Sequence, residues 1–321
     1  MVAADLYADL EVDIAYVEER LRDQLRSTQP ILEDAAIHLL KAGGKRLRPV
    51  FVLLAGKFGT YDVRSLANVA VGLELIHMAT LVHDDVIDNS DRRRGNPTVK
   101  AHFGNRVAMY TGDFIFAQAL SVLSEVPDLR AHQILSAAIE HMCMGEIEQI
   151  RDLYSLAQNL RNYLKRIRRK TALLIEMSCA LGAIVSNSDA SIIRTLQRFG
   201  YYAGMAFQIT DDILDFTASA ERLGKPIGGD LRQGNITIPV LYALRDSDQR
   251  DELRKLISPT QTTEQVIRAI TIVKESGAIT SAQALADRYL KKADRALASL
   301  PATPTRDSLI ELAKFVGQRD H

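Results

Sequence analysis

The chain has 321 residues, 47% hydrophobic and 25% charged, the composition of an ordinary globular protein. Its 40 basic and 40 acidic residues cancel, which excludes a global field directed at nucleic acid or an anionic membrane and leaves electrostatic function to local clusters. The N-terminus, MVAADLYADLEVD, is acidic and lacks the basic and apolar regions of a secretory signal, and no run of about eighteen apolar residues offers a membrane span, so a cytoplasmic protein is expected.

In chain order, GGKRLRPV places Lys45, Arg46 and Arg48 after a glycine pair, with Pro49 suited to an ensuing helix start. The segment VRSLANVAVGLELIHMATLVHDDVID predicts one long helix ending at Asp88, and RRRG follows at once. No proline occurs between Pro127 and Pro226, so that stretch is open to helix. Within it, Ile134, Leu135, Ala138, Ile139, Met142 and Ile147 recur at helical spacing and predict one buried face. Cys143 falls on the same segment and Cys179 on the next; they share no ligand or redox spacing and are read as reduced core thiols. KTALLIEMSCALGAIV is apolar almost all round, as a helix at the centre of a bundle is. GMAFQITDDILDFT predicts a second helix running into acids, and the last eighty residues read as amphipathic helices joined by Ser, Pro and Thr turns. Strand signals are scarce, and no repeat or linker divides the chain. The expectation is a single all-α domain over residues 1–321.

On the first acidic helix, Asp84 and Asp88 share a stripe and Asp85 flanks it. Like charges at that spacing repel, and the negative end of the helix dipole adds to the cost. A lone motif of this kind is in most cases a solvated helix end. A second copy at Asp211, Asp212 and Asp215, 127 residues further on (211 − 84), changes that balance. Two such helices facing one another would line a cleft with hard oxygen donors, which suit Mg²⁺ completed by water and phosphate. No histidine or cysteine set has zinc spacing, and His83 is read as structural. Arg93, Arg94, Lys170 and Lys225, with the cations of GGKRLRP, could hold two diphosphates from the opposite side. Each of these cations alone would be an ordinary surface charge.

LVHDDVID and FQITDDILD, with GGKRLRP, RRRGNPT, KTALL and GKPIGGD, resemble the trans-isoprenyl diphosphate synthases essentially end to end. ELIHMATLVHDDVID, MYTGDFIFA, GEIEQI, GYYAGMAFQITDDILDFT and GDLRQGNITIPVLYAL are similar to the large catalytic subunits of the two-component heptaprenyl subgroup. The resemblance implies an isoprenoid-synthase helical bundle around a central active-site cavity. It implies Mg²⁺-dependent condensation of isopentenyl diphosphate with an allylic diphosphate, farnesyl, giving an all-trans heptaprenyl diphosphate for a quinone side chain such as that of menaquinone. By the same resemblance, Asp84, Asp85, Asp88 and Asp211, with Asp215 through water, bind two or three Mg²⁺ ions on the allylic diphosphate; Asp212 is a weaker candidate. Arg93, Lys170 and Lys225 hold that diphosphate. Lys45, Arg48, His77 and Arg94 bind isopentenyl diphosphate, and Thr171 and Gln208 lie beside the reacting carbons. Asn235 stands where many members have a lysine and is left out of the site. The implied partner is a small noncatalytic subunit in a heterodimer, otherwise a second copy in a homodimer, with at most peripheral membrane contact for product release and no nucleic acid. The rival readings are a homodimeric hexaprenyl, octaprenyl or geranylgeranyl synthase, a terpene cyclase, and a noncatalytic subunit; GGKRLRP and the intact acidic motifs stand against the last two.

The same helix speaks to product length. Ala79 and Thr80 lie five and four residues before Asp84, with Ile76 and Gly72 deeper on that side. From Ala79 to Gly72 the stripe offers about 10 Å of depth. Short-chain relatives carry an aromatic near position 79, so a small residue there predicts a product longer than farnesyl, unless Ala79 serves only close helix packing.

Overall fold

The computed structural model describes residues 8–218 and 227–317. A 3₁₀ turn, Ala8–Leu10, leads into helices α1 (Glu11–Gln24), α2 (Pro30–Lys41), α3 (Leu47–Gly56) and α4 (Val63–Ile87). A two-stranded hairpin, β1 (Arg92–Arg93) and β2 (Asn96–Pro97), precedes α5 (Val99–Phe103), α6 (Asn105–Ser124), α7 (Leu129–Arg151) and α8 (Leu160–Ile167). A π-helical turn, Arg168–Ala172, joins α8 to α9 (Leu173–Val185), and α10 (Ala190–Thr217) follows. The remaining helices are α11 (Gly229–Arg232), α12 (Ile238–Asp246), α13 (Arg250–Leu256), α14 (Thr263–Glu275), α15 (Ala278–Leu297) and α16 (Pro304–Gly317). The all-α fold class follows from the sequence pattern, and the only strands among the described residues are those of the hairpin.

The chain groups into two compact units. The first takes the described residues of Met1–Ser136, Leu174–Gly200 and Ala296–Leu312; the second takes those of Ala137–Leu173, Tyr201–Arg295 and Ala313–His321. In the first unit, α4 is the central helix. Asp62 caps it by accepting from the backbone N–H groups of Arg64 and Ser65. Leu66, Ala67, Val69, Ala70, Val71, Leu73 and Leu75 are all fully buried, so the helix is apolar nearly all round because the core surrounds it. By length and hydropathy α4 and α6 could each cross a membrane, but 72% of the apolar window of α4 is buried in the protein, against 39% for α6. The second unit packs Phe216, Ile209 and Met205 of α10 with Tyr163, Leu231, Ile238 and Val273.

Helix α7 departs from its predicted face at one end. Leu135, Ala138 and Met142 are buried, but Ile147 is 67% exposed. Five residues past Met142 rotate a side chain about 140° off the stripe, which takes it out of the core. Cys143 is exposed as well, so of the two thiols only Cys179 belongs to the core.

Candidate active site

In the first unit the acidic end of α4 is answered by the hairpin. Asp88 is the C-cap of α4, its N–H donating to the Asp84 carbonyl at 2.8 Å. Arg94 and Gly95, with φ of 51° and 80°, make the two-residue turn, and Arg93 pairs with Asn96. This tight return lays Arg93 back on Asp85, donating from Nη2 at 2.8 Å and from Nε at 3.0 Å. Burial raises the Asp85 carboxyl above its ordinary pKa while the Arg93 hydrogen bonds and charge pull it down, and burial prevails. Asp84 and Asp88 share the half-buried stripe beside it. The structure thus pairs with one another two groups that the resemblance assigned to a metal and to a diphosphate.

The cationic loop lies against the same helix. Arg94 donates from its guanidinium to the carbonyl of Gly43, which sits at φ 76°. Lys45 is exposed and Arg48 half-buried. Burial, then the charges of Arg48, Arg94, Arg93 and Arg46, hold the His77 imidazole well below its ordinary pKa. His77 is therefore neutral at pH 7, an uncharged ring among guanidiniums. Its depressed native pKa makes a specific prediction. Below the unfolded value of about 6.5, the unfolded chain takes up a proton at this position that the native chain refuses. Native stability is thus lost as pH falls through about 6.5 and below. Melting curves from pH 7.5 to 5 are expected to fall more steeply for the native chain than for His77→Gln; parallel curves would show a ring as protonatable in the fold as outside it.

In the second unit, Asp211, Asp212 and Asp215 stand on α10, and each has a different setting. Asp212, 3% exposed, accepts from Tyr163 Oη and from Gln208 Nε2, both at 2.7 Å. Thr171 Oγ1 donates to Gln208 Oε1 at 2.5 Å. Asp212 is therefore the anchor of a chain that orients the Gln208 amide and the Thr171 hydroxyl. Its pKa is raised, first by burial and then by Asp230. Asp215 is buried too, and its two oxygens accept from the backbone N–H groups of Gly229 and Asp230, each at 3.1 Å. Asp211 is half-buried. Lys170 and Thr171 both ride on the π turn, whose wider winding re-aims side chains relative to a regular helix. Lys170 pairs with Glu146 at 3.1 Å, and Arg169 with Glu148 at 2.7 Å. Lys225 lies outside the described residues. The backbone N–H of Asn235 donates to the carbonyl of Asp230 at 2.8 Å.

Sequence reading missed Glu146 and Tyr163. The first carried a signal, since GEIEQI offers two glutamates to the cations of RRKT. The second carried none, because a tyrosine 49 positions from its aspartate is brought to it only by packing.

On the product-length stripe, Ala79 and Ile76 are 2% and 1% exposed, and Thr80 is half-buried with its hydroxyl donating to the His77 carbonyl at 2.8 Å. Gly72 lies against α6: a Cβ there would stand 2.4 Å from Leu123 Cγ. Leu123 is thus the side chain that meets the stripe at its deep end.

Whether these residues fit Mg²⁺ can be judged from the donors. Among the described residues no three His, Cys, Asp or Glu side chains converge as a ready-made cage. Mg²⁺ does not need one, since it is held by one or two carboxylates with substrate phosphates and water. The half-buried carboxylates Asp84, Asp88 and Asp211 are hard oxygen donors of that kind, so the residues fit the ion.

An acidic motif at the end of an apolar helix in each unit, with a cationic loop beside one of them, offers the donors and cations that metal-bound organic diphosphates require. The chain matches the polyprenyl synthetase family over residues 29–273. It is 53% identical to heptaprenyl diphosphate synthase component 2 of Bacillus subtilis, covering 98% of this chain and 90% of the relative. The Geobacillus stearothermophilus protein of the same name is 52% identical, with 98% of each covered. A crystal structure of heptaprenyl diphosphate synthase from Staphylococcus aureus superposes with a TM-score of 0.94 at 42% identity, over 96% of this chain and 98% of that one. A polyprenyl synthase from Caulobacter crescentus, complexed with calcium and isoprenyl diphosphate, gives 0.95 at 35% identity, over 99% and 98%. The chain belongs to the polyprenyl synthetase family and is a trans-prenyltransferase. That family is generally Mg²⁺-dependent.

Proposed function

We propose that this chain is the catalytic subunit of a two-component heptaprenyl diphosphate synthase, extending farnesyl diphosphate with isopentenyl diphosphate in the cytoplasm to supply a quinone side chain, menaquinone being the expected one. The observation that carries this reading is the identity above 50%, over 98% of the chain, to two proteins named component 2 of such a synthase.

In the reaction the allylic C–O bond breaks and diphosphate leaves with the electron pair. The double bond of isopentenyl diphosphate attacks the allylic carbon, a C–C bond forms, and a proton is lost to the released diphosphate. Two or three Mg²⁺ ions, when bound, supply charge neutralisation of the leaving diphosphate. Asp84, Asp88 and Asp211 are the carboxylates that would hold them, with Asp85 and Asp215 joining directly or through water. Arg93, Lys170 and Lys225 add fixed positive charge on the allylic diphosphate. Lys45, Arg48 and Arg94 bind isopentenyl diphosphate, with neutral His77 as a hydrogen-bonding partner. Thr171 and Gln208, oriented by Asp212, set their dipoles beside the reacting carbons. Apolar residues along α4 exclude the water that would trap the allylic cation.

The partner reading has a surface to rest on. Helix α6 exposes Met109, Tyr110 and Leu120, at 40%, 67% and 47%, side chains that a partner subunit would cover. The C-terminal half of α7 exposes Met144, Ile147 and Ile150 in its own unit. A second subunit on such a face could shield a growing tail whose burial is worth about 0.8 kcal/mol per methylene. The test incubates the purified chain with farnesyl diphosphate, labelled isopentenyl diphosphate and Mg²⁺, with and without a small companion subunit. The chain alone is expected to be weakly active or to stop short, and the companion to restore heptaprenyl product. Full-rate long-chain synthesis by a homodimer, judged by light scattering, would exclude the two-component reading.

A further inference from the structure

The loop that carries Lys45 has no helix or strand of its own, and α3 begins only at Leu47. Its shape is held from the side. Arg46 sits at φ 48° and ψ 37° as the N-cap of α3, yet its side chain does not cap that helix. The guanidinium reaches back to the core instead: Nη1 lies 3.3 Å from Glu74 Oε1, Nε 3.4 Å from Glu18 Oε1 and Nη2 3.5 Å from the Leu40 carbonyl. One residue thereby ties together α1, the end of α2 and the middle of α4.

Glu74 is the unusual partner. Its side chain is 4% exposed, between Leu73 and Leu75, which are fully buried. A carboxylate in such a place costs several kcal/mol unless a cation meets it, and a buried ion pair stabilises a fold no better than apolar side chains of the same size. Stability alone therefore does not account for the pair, whereas geometry does. Glu74 lies one turn before His77 on α4, so the helix that presents His77 also sets where Arg46 stands. The loop is fitted tightly between guanidiniums. A methyl on Gly44 would come within 2.9 Å of Arg94 Nη1 and 3.1 Å of Arg46 Nη1. Arg94, bonded to the Gly43 carbonyl, holds the loop before Lys45, and Arg46, paired with Glu74, holds it after Lys45.

We infer that Glu74 and Arg46 form a buried positioning pair that holds the loop of Gly43 to Arg48 in the shape in which Lys45 and Arg48 bind isopentenyl diphosphate, an inference that rests on assigning this loop to that substrate. Glu74 controls affinity for one of the two diphosphates without touching either. The pair acts as a unit, so removing one member does the damage of removing both.

The test uses the full chain with its companion subunit, Mg²⁺, farnesyl diphosphate and isopentenyl diphosphate. Glu74→Leu and Arg46→Leu are each expected to raise KM for isopentenyl diphosphate about tenfold, the loss of one charge-assisted contact. KM for farnesyl diphosphate and kcat should stay within about threefold, well short of that loss. The double variant should be no worse in KM than the more severe single, with Tm at or above that of either single variant. Equal rises in both KM values, or single effects that multiply in the double, would overturn the pair. Should the leucine variants fail to fold, Glu74→Gln decides, since it keeps size and an acceptor but removes the charge. A rise of about threefold in the same KM is expected for it, and no change overturns the proposal. Lys45→Ala separates the two layers. If it leaves KM for isopentenyl diphosphate unchanged, the loop assignment falls and the proposal with it; if it raises KM while Glu74→Leu and Glu74→Gln do not, only the positioning pair falls.

Discussion

Asp84→Ala and Asp211→Ala are each expected to lower kcat by about a hundred- to a thousandfold, the scale of losing one preorganised electrostatic contact to a leaving group. Neither should unfold the protein. Asp84 and Asp88 stand four residues apart at the end of α4, and Asp211 and Asp215 stand four apart near the end of α10. Like charges at that spacing and at that end of the dipole cost a helix a few tenths of a kcal/mol to about 1 kcal/mol. Alanine relieves this repulsion and has the better helix propensity. A large loss of turnover with an unchanged or slightly raised Tm is therefore the signature of a functional carboxylate. Near-native turnover at saturating Mg²⁺ would remove both residues from the metal assignment. Asp212→Ala should behave differently in the same assays. Its carboxylate is tied to Tyr163 and Gln208 in the core, so Tm should fall along with rate.

The second large effect is on the product rather than the rate. Ala79→Phe is expected to shift the main product from a long chain to farnesyl or geranylgeranyl length, read by chromatography after dephosphorylation. Ala79 is 2% exposed and lies five residues, about 7.5 Å of helix, from Asp84. A ring projecting from that point would close the stripe well above Gly72, where Leu123 now meets it. Inserting a ring into a packed site costs about 1–3 kcal/mol, so Tm should drop while short-chain synthesis persists. An unchanged product length would place the tail along another face of the bundle.

Much of the fold was legible because helical spacing is a local property. The long helix ending at Asp88, the apolar helix after Lys170 and the second acidic helix are all seen as read, with α9 buried almost throughout. The acidic motifs were legible for a related reason: carboxylates four apart on an apolar helix violate local preference, and a violation repeated 127 residues later demands a purpose. Ile147 was misread at the point where the pattern thinned, because a five-residue step leaves a helical face.

What the sequence determined by itself was the helical class, the order of the helices, and the set of charged groups available for chemistry. What only the tertiary structure decided was how those groups are shared out. Asp85 goes to Arg93 because two positive-φ residues, Arg94 and Gly95, fold the hairpin back onto α4. Asp212, at the same place in its motif as Asp85, goes instead to Tyr163 and Gln208, and Asp215 to two backbone N–H groups, so two motifs of identical spacing have different surroundings. Arg46, to which the resemblance gave no role beside Lys45 and Arg48, turns inward to Glu74. The physical reason is common to all of these. A side chain's charge and its helical face are set by near neighbours in the chain, but its partner and its hydration are set by residues tens of positions away, and those are brought to it only when the helices pack.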